Sequence, residues 1–125
     1  MSAEHLNILC AATVAMVHAD RPDLTARQLA VLLTCYLADE EQTVRGLAAQ
    51  LKVSKPSISR GLDRMEALDL LRRRRDPRDR RSMLIERTVT GVVVLRDIEI
   101  AIARAAAVPG PRSTTLSCAV PLCIE

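Results

Sequence analysis

VSKPSISRGLDRM, residues 53–65, is the stretch that decides the fold of this chain. Ser54 can cap a helix by accepting a hydrogen bond from a free amide. Pro56 then falls in the first turn, where a missing amide costs little. Apolar side chains recur along one face of the predicted helix, at Ile58, Leu62 and Met65. We therefore predict an amphipathic helix with its opposite, polar face open to solvent or to a ligand.

The segment before this helix predicts a second, shorter helix over Val44–Leu51. Its inner face is built from Leu47, Ala48 and Leu51. Lys52 and Val53 make a turn between the two helices. Two short helices joined by so tight a turn form a helix–turn–helix, whose second helix can enter the major groove of DNA.

The segment after the helix predicts a hairpin rich in arginine. A strand begins at residues 70–71 and continues through Arg72–Arg75, residues 76–79 turn, and residues 82–87 return. Alternation at Met83 and Ile85 indicates that one face of the return strand packs on the helices. A cationic hairpin beside a recognition helix can hold phosphates and reach the minor groove.

Helices are also predicted on both sides of this region. Apolar residues recur at helical spacing over residues 3–18, and Thr25 with Gln28 forms a capping box that opens a helix to about residue 38. Residues 90–108 predict a last helix that is apolar nearly all round.

Together these elements predict a mainly α fold with a small β-hairpin wing, a winged helix–turn–helix. We expect a single domain over residues 1–108, with a DNA-binding core at 25–91 and dimerisation helices at 3–18 and 90–108. Residues 109–125 begin with Pro-Gly-Pro and lack a helical period. We expect them to form a mobile tail.

Positive charge is concentrated in one part of the chain. Between Lys52 and Arg87 there are 12 Lys and Arg against 6 Asp and Glu, a local charge of +6. The whole chain has 18 basic and 15 acidic residues, so the remainder carries 6 against 9, or −3. Such asymmetry is typical of a protein that binds a polyanion, although a solvated basic surface is the alternative.

The composition excludes several other classes of function. Tyr36 is the only aromatic residue, so the chain lacks the stacking platforms of single-strand and RNA binders. No apolar run approaches a membrane span, and residues 1–9 lack the cationic start of a secretory signal. We therefore expect a cytoplasmic protein that does not contact a membrane.

No chemistry other than binding is indicated by the residue pattern. The four cysteines form no Cys-x-x-Cys motif, and neither histidine has a companion at zinc-ligand spacing. No catalytic serine–histidine–aspartate set or phosphate-binding glycine loop occurs. We expect no enzyme activity, no metal and no cofactor, and interpret Cys10 and Cys35 as buried thiols.

Candidate DNA contacts lie on the polar face of the recognition helix and on the hairpin. On the helix they are Ser54, Lys55, Ser57, Ser59, Arg60 and Arg64. On the hairpin they are Arg73, Arg75, Arg78, Asp79, Arg80 and Arg81. We expect Asp79 to orient a neighbouring guanidinium, because a fixed arginine loses less entropy when it enters a groove.

Residues 25–91 resemble the winged helix–turn–helix of the MarR family of bacterial transcriptional regulators. The motifs that carry the resemblance are LA at 47–48, VSKPSISR at 53–60, LDRME at 62–66, LLRR at 70–73, DPRDRRS at 76–82 and TVTG at 88–91. The wing motif is the most specific of them. The resemblance implies a homodimer, major-groove contact by residues 54–64 and minor-groove contact by the wing arginines.

The chain departs from the family pattern at three places. Asp69 stands where the family usually has glycine before the first wing strand, a position that favours a left-handed backbone. Arg87 stands where a leucine commonly precedes the threonine. The family also dimerises through long terminal helices, whereas the C-terminal portion here is short.

Partners beyond DNA are inferred less directly. The apolar helix over residues 90–108 needs burial on more than one side, and either core packing or a second subunit would supply it. Some relatives take small-molecule effectors, but no residue here indicates one. The alternative function is a winged-helix module that docks on a protein and binds DNA weakly or not at all.

Overall fold

The computed structural model describes residues 3–107 and contains five helices and three strands within them. In chain order they are α1 (Ala3–His18), α2 (Ala26–Leu37), β1 (Gln42–Thr43), α3 (Val44–Leu51), α4 (Lys55–Ala67), β2 (Leu71–Asp76), β3 (Asp79–Arg87) and α5 (Val89–Ala107). The predicted mainly helical fold with a hairpin wing is confirmed. The two-residue strand β1 was not predicted. The prediction of a tail at 109–125 lies outside the described residues.

Two compact units divide the chain, one formed by residues 24–94 and the other by the segments on either side of it. The single domain over residues 1–108 therefore stays a prediction. In the unit formed by the flanking segments, Arg21 Nη2 donates to Asp97 Oδ2 at 3.3 Å. Only Ala12 of α1 is buried, whereas Leu9 and Val17 are 60% and 65% exposed.

Helix caps position the elements of residues 24–94. The Thr25 hydroxyl accepts from the Gln28 amide at 3.1 Å, and the Gln28 side-chain oxygen accepts from the Thr25 amide at 3.0 Å. The predicted capping box is therefore present, and it satisfies two amides that the helix itself cannot pair. Thr43 caps α3 in a similar way, accepting from the Gly46 amide at 2.9 Å.

The core of this unit is aliphatic. Its fully buried side chains come from α2, α3, α4 and β2, and they are Val31, Leu32, Leu47, Ile58, Leu62, Met65 and Leu71. One face of the recognition helix α4 supplies three of these residues, as the sequence predicted. Burial of this face turns the other face of α4 away from the core.

The sheet is antiparallel in the order β1-β3-β2. Leu71 lies opposite Arg87 at one end of the β2–β3 ladder, and the two strands meet at a two-residue turn of Pro77 and Arg78. The register shifts between Arg75 and Asp76, close to the turn. Strand β1 adds two pairs to the outer side of β3, which fixes the start of α3 beside the hairpin.

Asp69 adopts the left-handed conformation, with φ of 57°. A β-carbon disfavours that conformation, so glycine is favoured at such a helix end, although aspartate is among the side chains that tolerate it. Here the aspartate is also used for bonding. Its Oδ2 accepts from Thr90 Oγ1 at 2.9 Å, and its backbone oxygen accepts from Thr88 Oγ1 at 2.6 Å.

Arg87, the other departure within the motif, closes the end of α2. Its Nε donates to the carbonyl of Cys35 at 3.1 Å, and its Nη2 donates to the carbonyl of Ala38. Its guanidinium carbon lies 5.8 Å from the centre of the Tyr36 ring. A cation at the negative end of a helix is favourable, so Arg87 satisfies carbonyls that the helix leaves unpaired.

Candidate nucleic-acid interface

The outer face of α4 presents a polar surface. Ser54 caps the helix through a 3.3 Å hydrogen bond from the Ser57 amide. Lys55, Arg60 and Arg64 are exposed on α4, and Ser57 and Ser59 are half-buried. Ile58, Leu62 and Met65 occupy the opposite face. The helix therefore presents cations and hydroxyl groups on one face, and side chains of these types contact phosphates and base edges in DNA-binding proteins.

One residue outside the predicted set joins this surface. Arg27, at the second position of α2, donates from Nη1 to the hydroxyl oxygen of Ser57 at 3.0 Å. The two residues line an open groove of about 310 Å³ between the start of α2 and the first turns of α4. Arg60 and Gly61 also line it. No local pattern in the sequence predicts this contact, because it joins residues 30 positions apart.

The tip of the wing is held by two aspartates. Asp76 Oδ1 accepts from the Arg78 amide at 2.9 Å. Asp79 Oδ1 accepts from the Arg81 amide at 3.0 Å, and its Oδ2 accepts from the Ser82 hydroxyl at 3.0 Å. Asp79 was expected to orient a guanidinium, but in the structure it holds the backbone of the turn. Short side chains that bond to amides two residues ahead are typical of such turns.

These hydrogen bonds also favour the ionised form of the Asp79 carboxyl. The hydrogen bond from the Arg81 amide, followed by that from Ser82, lowers the pKa of the Asp79 carboxyl below its usual value. The positive charge of Arg45 lowers the same pKa further. Arg45 is exposed at the start of α3, so it adds a cation near the wing that the sequence reading missed.

The arginines at the wing tip remain available for a ligand. Arg75, Arg78, Arg80 and Arg81 are exposed, and none of them forms an ion pair within residues 3–107. Their charges are carried on a hairpin whose turn is already ordered by the two aspartates. An ordered turn lowers the entropy lost when the arginines bind a partner.

Arg73, by contrast, is committed to the recognition helix. Its guanidinium bonds to the carboxylates of Asp63 and Glu66 on α4, with 2.7 Å between Nε and Glu66 Oε1. Burial works to lower the pKa of Arg73, but hydrogen bonds and charge attraction from the two acids raise it overall. The side chain is 25% exposed. Arg73 thus joins β2 to α4 in this structure.

Arg74 is paired on the other side of the sheet. Its Nε bonds to Glu86, and its Nη2 donates to Glu41 at 2.9 Å. The hydrogen bond with Glu86 is the largest of the interactions that raise the pKa of Arg74. Glu41 comes from the acidic turn before β1, so Arg74 links β2 to that turn across β3. Arg72 lies 3.5 Å from Asp69, with both side chains mostly exposed.

The position of each of the four consecutive arginines along β2 therefore determines which face of the sheet it lies on. Successive side chains of a strand point to opposite faces. Arg73 lies against the acids of α4, and Arg74 lies with the acids of the other face. Local carboxylates neutralise these two charges. The positive surface of the hairpin is consequently concentrated at its tip, beyond Arg74.

Other kinds of site are not apparent in the part of the chain that the structure describes. Within residues 3–107, no group of His, Cys, Asp and Glu side chains is arranged to hold a metal ion. The same residues contain no helix with both the length and the apolarity needed to cross a membrane. Exposed cations are grouped on the polar face of α4 and at the wing tip.

Comparison with known proteins finds similarity to MarR-family proteins both in sequence and in fold. A family model described as "MarR family" matches residues 23–82. The crystal structure of MarR has 30% identity and a TM-score of 0.57, covering 66% of this chain and 59% of MarR. None of the curated proteins matches the chain.

Two structures of DNA complexes are also similar. Reduced AbfR bound to DNA has 27% identity and a TM-score of 0.57, with 65% of this chain and 60% of AbfR covered. The S. aureus MepR–DNA complex has a TM-score of 0.70 and covers 82% of both chains. Its 20% identity is informative for the fold alone. The chain thus spans about three fifths of the length of MarR and of AbfR.

Proposed function

Since the model of the MarR family matches residues 23–82, we propose that this protein belongs to that family of transcriptional regulators, binds double-stranded DNA in a sequence-specific way and acts as a repressor. The observation that carries the proposal is the presence of both an open polar face on α4 and an exposed arginine tip whose cations form no ion pair among residues 3–107. The helix suits the major groove and the tip suits the minor groove. Similarity to AbfR, which is described as bound to DNA, supports this assignment.

We further propose that α4 supplies the base contacts and that the wing supplies cationic contacts. The helix residues are Ser54, Lys55, Ser57, Ser59, Arg60 and Arg64, and the wing residues are Arg75, Arg78, Arg80 and Arg81. Arg73 and Asp79 act by holding the wing in place. A protein of this kind works where the chromosome lies, so the cytoplasm is its expected location.

A homodimer on a palindromic operator is the proposed binding form. The exposed apolar side chains of α1 and α5 support it, because a solvated monomer leaves them uncovered. They include Leu9, Val17, Val93 and Ile100, which are 60%, 65%, 49% and 43% exposed. Two-fold symmetry would place the two α4 helices in successive major grooves, with roughly 34 Å between half-site centres.

A salt series tests this proposal. The purified full chain is titrated against a fluorescent duplex that contains the region upstream of its own gene, with a scrambled duplex of equal length beside it. We expect tighter binding to the upstream duplex, and an affinity that falls steeply with salt as counterions are released. Equal affinity for both duplexes, or indifference to salt, would contradict sequence-specific DNA binding.

The second candidate is a module that docks on a protein partner. The pairing of Arg73 and Arg74 with acids of the same chain favours it, since half of the β2 arginines are unavailable to DNA. Under this alternative, the upstream and scrambled duplexes would bind equally weakly. Binding to DNA that depends on both sequence and salt would exclude it. A small-molecule effector has no support among the described residues.

A further inference from the structure

The contact between Arg27 and Ser57 joins an element outside the helix–turn–helix to the recognition helix. Arg27 Nη1 lies 3.0 Å from Ser57 Oγ, with the guanidinium as donor. Arg27 is exposed and has no ion pair within residues 3–107. The serine hydroxyl is therefore the acceptor to which this side chain is committed.

The neighbouring hydrogen bonds of the two helix caps do not use the side chain of Ser57. Its amide already donates to the Ser54 hydroxyl, so the helix cap does not use the Ser57 side chain. The nearby Gln28 oxygen accepts from the Thr25 amide and closes the capping box of α2. Ser57 lies in the first turn of α4, the part of a recognition helix that contacts base edges.

The direction of the bond determines what Ser57 can offer. A serine hydroxyl has one proton to donate and two lone pairs that accept, and its proton rotates to suit its neighbours. A guanidinium can only donate. With Arg27 donating to Oγ, the hydroxyl proton of Ser57 has to point away from Arg27. Arg27 therefore biases Ser57 toward donating.

We propose that Arg27 is a positioning residue that makes Ser57 a hydrogen-bond donor to a base in the major groove. Ser57 would then select an acceptor, such as purine N7, guanine O6 or thymine O4. It would discriminate against the amino groups of adenine and cytosine. This inference rests on the proposed function, because it assumes that α4 lies in the groove.

If Arg27 contacted a phosphate instead, its substitution would have a different effect on DNA binding. An arginine that bound a phosphate directly would strengthen binding to every sequence equally, and its loss would reduce the salt slope by about one. A positioning residue that acts through Ser57 changes base preference at one place in each half-site. Its effect must also vanish when Ser57 has no hydroxyl.

Selection from a randomised duplex library separates these roles. The full-length wild type, Arg27→Ala, Ser57→Ala, the double variant and Arg27→Lys are each used to select bound sequences, and the affinities of the selected duplexes are measured. Arg96→Ala is the charge-matched control, since Arg96 is an exposed arginine of α5 for which no DNA contact is proposed. Thermal unfolding establishes that each variant is folded.

We expect Arg27→Ala and Ser57→Ala to lose preference at the same base pair of each half-site, by about threefold to tenfold. The double variant should lose no more than Ser57→Ala alone. Arg27→Lys, which keeps a donor and a charge, should retain much of the preference. Replacing the selected purine with its 7-deaza analogue should weaken wild type and leave Arg27→Ala unchanged if N7 is the acceptor.

Two results would overturn the inference. A uniform loss of affinity in Arg27→Ala, with an unchanged base preference and a smaller salt slope, would identify a phosphate contact. An Arg27→Ala variant that matches Arg96→Ala in preference and affinity would show that the contact has no role in binding. If wild type selects no sequence at all, the proposed function itself fails, and the inference fails with it.

Discussion

The hydroxyl oxygen of Tyr36 lies where a β-carbon on residue 91 would have to be. A β-carbon built at Gly91 falls 1.8 Å from Tyr36 Oη and 2.6 Å from the carbonyl oxygen of Leu70. The same hydroxyl accepts from the Thr88 amide at 2.9 Å and lies 2.7 Å from that Leu70 oxygen, to which it donates. The start of α5 thus packs against α2 through a glycine chosen for space, since no glycine in residues 3–107 has a positive φ.

Replacing this glycine with alanine should destabilise the protein. Gly91→Ala forces the Tyr36 ring away from its hydrogen bonds or shifts the backbone, and overpacking of this kind costs about 3 kcal/mol. Urea unfolding followed by circular dichroism gives the free energy of unfolding. A variant as stable as wild type would mean that Tyr36 does not hold this position.

Gly61→Ala is the matched control, with the opposite expected sign. Its β-carbon would lie 3.9 Å from Gln28 Cγ, an ordinary contact, and the residue lies inside α4. Alanine in a helix interior is more favourable than glycine by about 1 kcal/mol. The same urea experiment should show a gain. Destabilisation of both variants by equal amounts would mean that α4 and α5 tolerate no substitution of a glycine, whatever space surrounds it.

Removing two charges from the wing tip should weaken DNA binding. In Arg80→Ala with Arg81→Ala, two exposed cations are lost, so affinity should fall and the slope of log K against log salt should decrease by about two. The control is Arg96→Ala with Arg104→Ala, which removes the same charge from α5. An unchanged slope in the wing variant would refute the assignment of these arginines to DNA contact.

Arg73 should contribute more to stability than its exposed neighbour. Arg73→Ala leaves Asp63 and Glu66 without their cation, and hydrogen bonds to charged groups contribute about 2 kcal/mol. Arg72→Ala removes only an exposed pair with Asp69, which contributes less than about 1 kcal/mol. Denaturant unfolding of both variants compares them. Equal losses would indicate that the Arg73 contacts contribute no more than a surface pair.

Arg73→Lys extends this comparison. A lysine keeps the charge but lacks the planar fork that reaches both carboxylates at once. We therefore expect this variant to recover less than half of the stability lost in Arg73→Ala. Full recovery would show that charge alone, without the fork geometry, holds β2 on α4.

Cys35 should resist alkylation in the folded protein. Burial raises the pKa of its thiol from 9.0 to about 12, and the charge of Arg87 offsets this only in part. The folded chain therefore holds this proton more tightly than the unfolded chain. The resulting stability is fully present below about pH 9 and is lost as the pH rises toward 12.

Iodoacetamide labelling at pH 8, followed by peptide mass spectrometry, measures this protection. The Cys35 peptide should stay unmodified in buffer and become modified in urea, because thiolate is the reactive form and unfolding restores it. Equal labelling rates in the two conditions would contradict the burial of this thiol.

The helices and the hairpin could be predicted because their signals are local. Thr25 and Ser54 are caps that act within three residues, and the apolar face of α4 repeats at helical spacing. Strand β1 has two residues and no periodicity to detect. It forms only because β3 offers an unpaired edge beside residues 42–43.

The candidate site was harder to predict than the fold. The sequence identified the wing arginines as a class but treated Arg73 like Arg78, since partners seven and ten positions away leave no local trace. Arg27 was missed because its contact with Ser57 depends on how two helices pack. Asp69 and Arg87 were recognised only as departures from the expected pattern, and the structure shows that Asp69 binds a hydroxyl group and Arg87 binds carbonyl groups.

The run of arginines on β2 has a consequence for how this gene tolerates change in length. Arg73 and Arg74 are distinguished by position on the strand, yet their neighbours on each side are also arginine. If one arginine codon were duplicated, an arginine would still face the acids of α4 and another the acids across the sheet. The fully buried Leu71 anchors one end, and the irregularity at Arg75 and Asp76 offers a place for the extra residue. We therefore expect this tract to accept a repeat expansion that a mixed sequence would not.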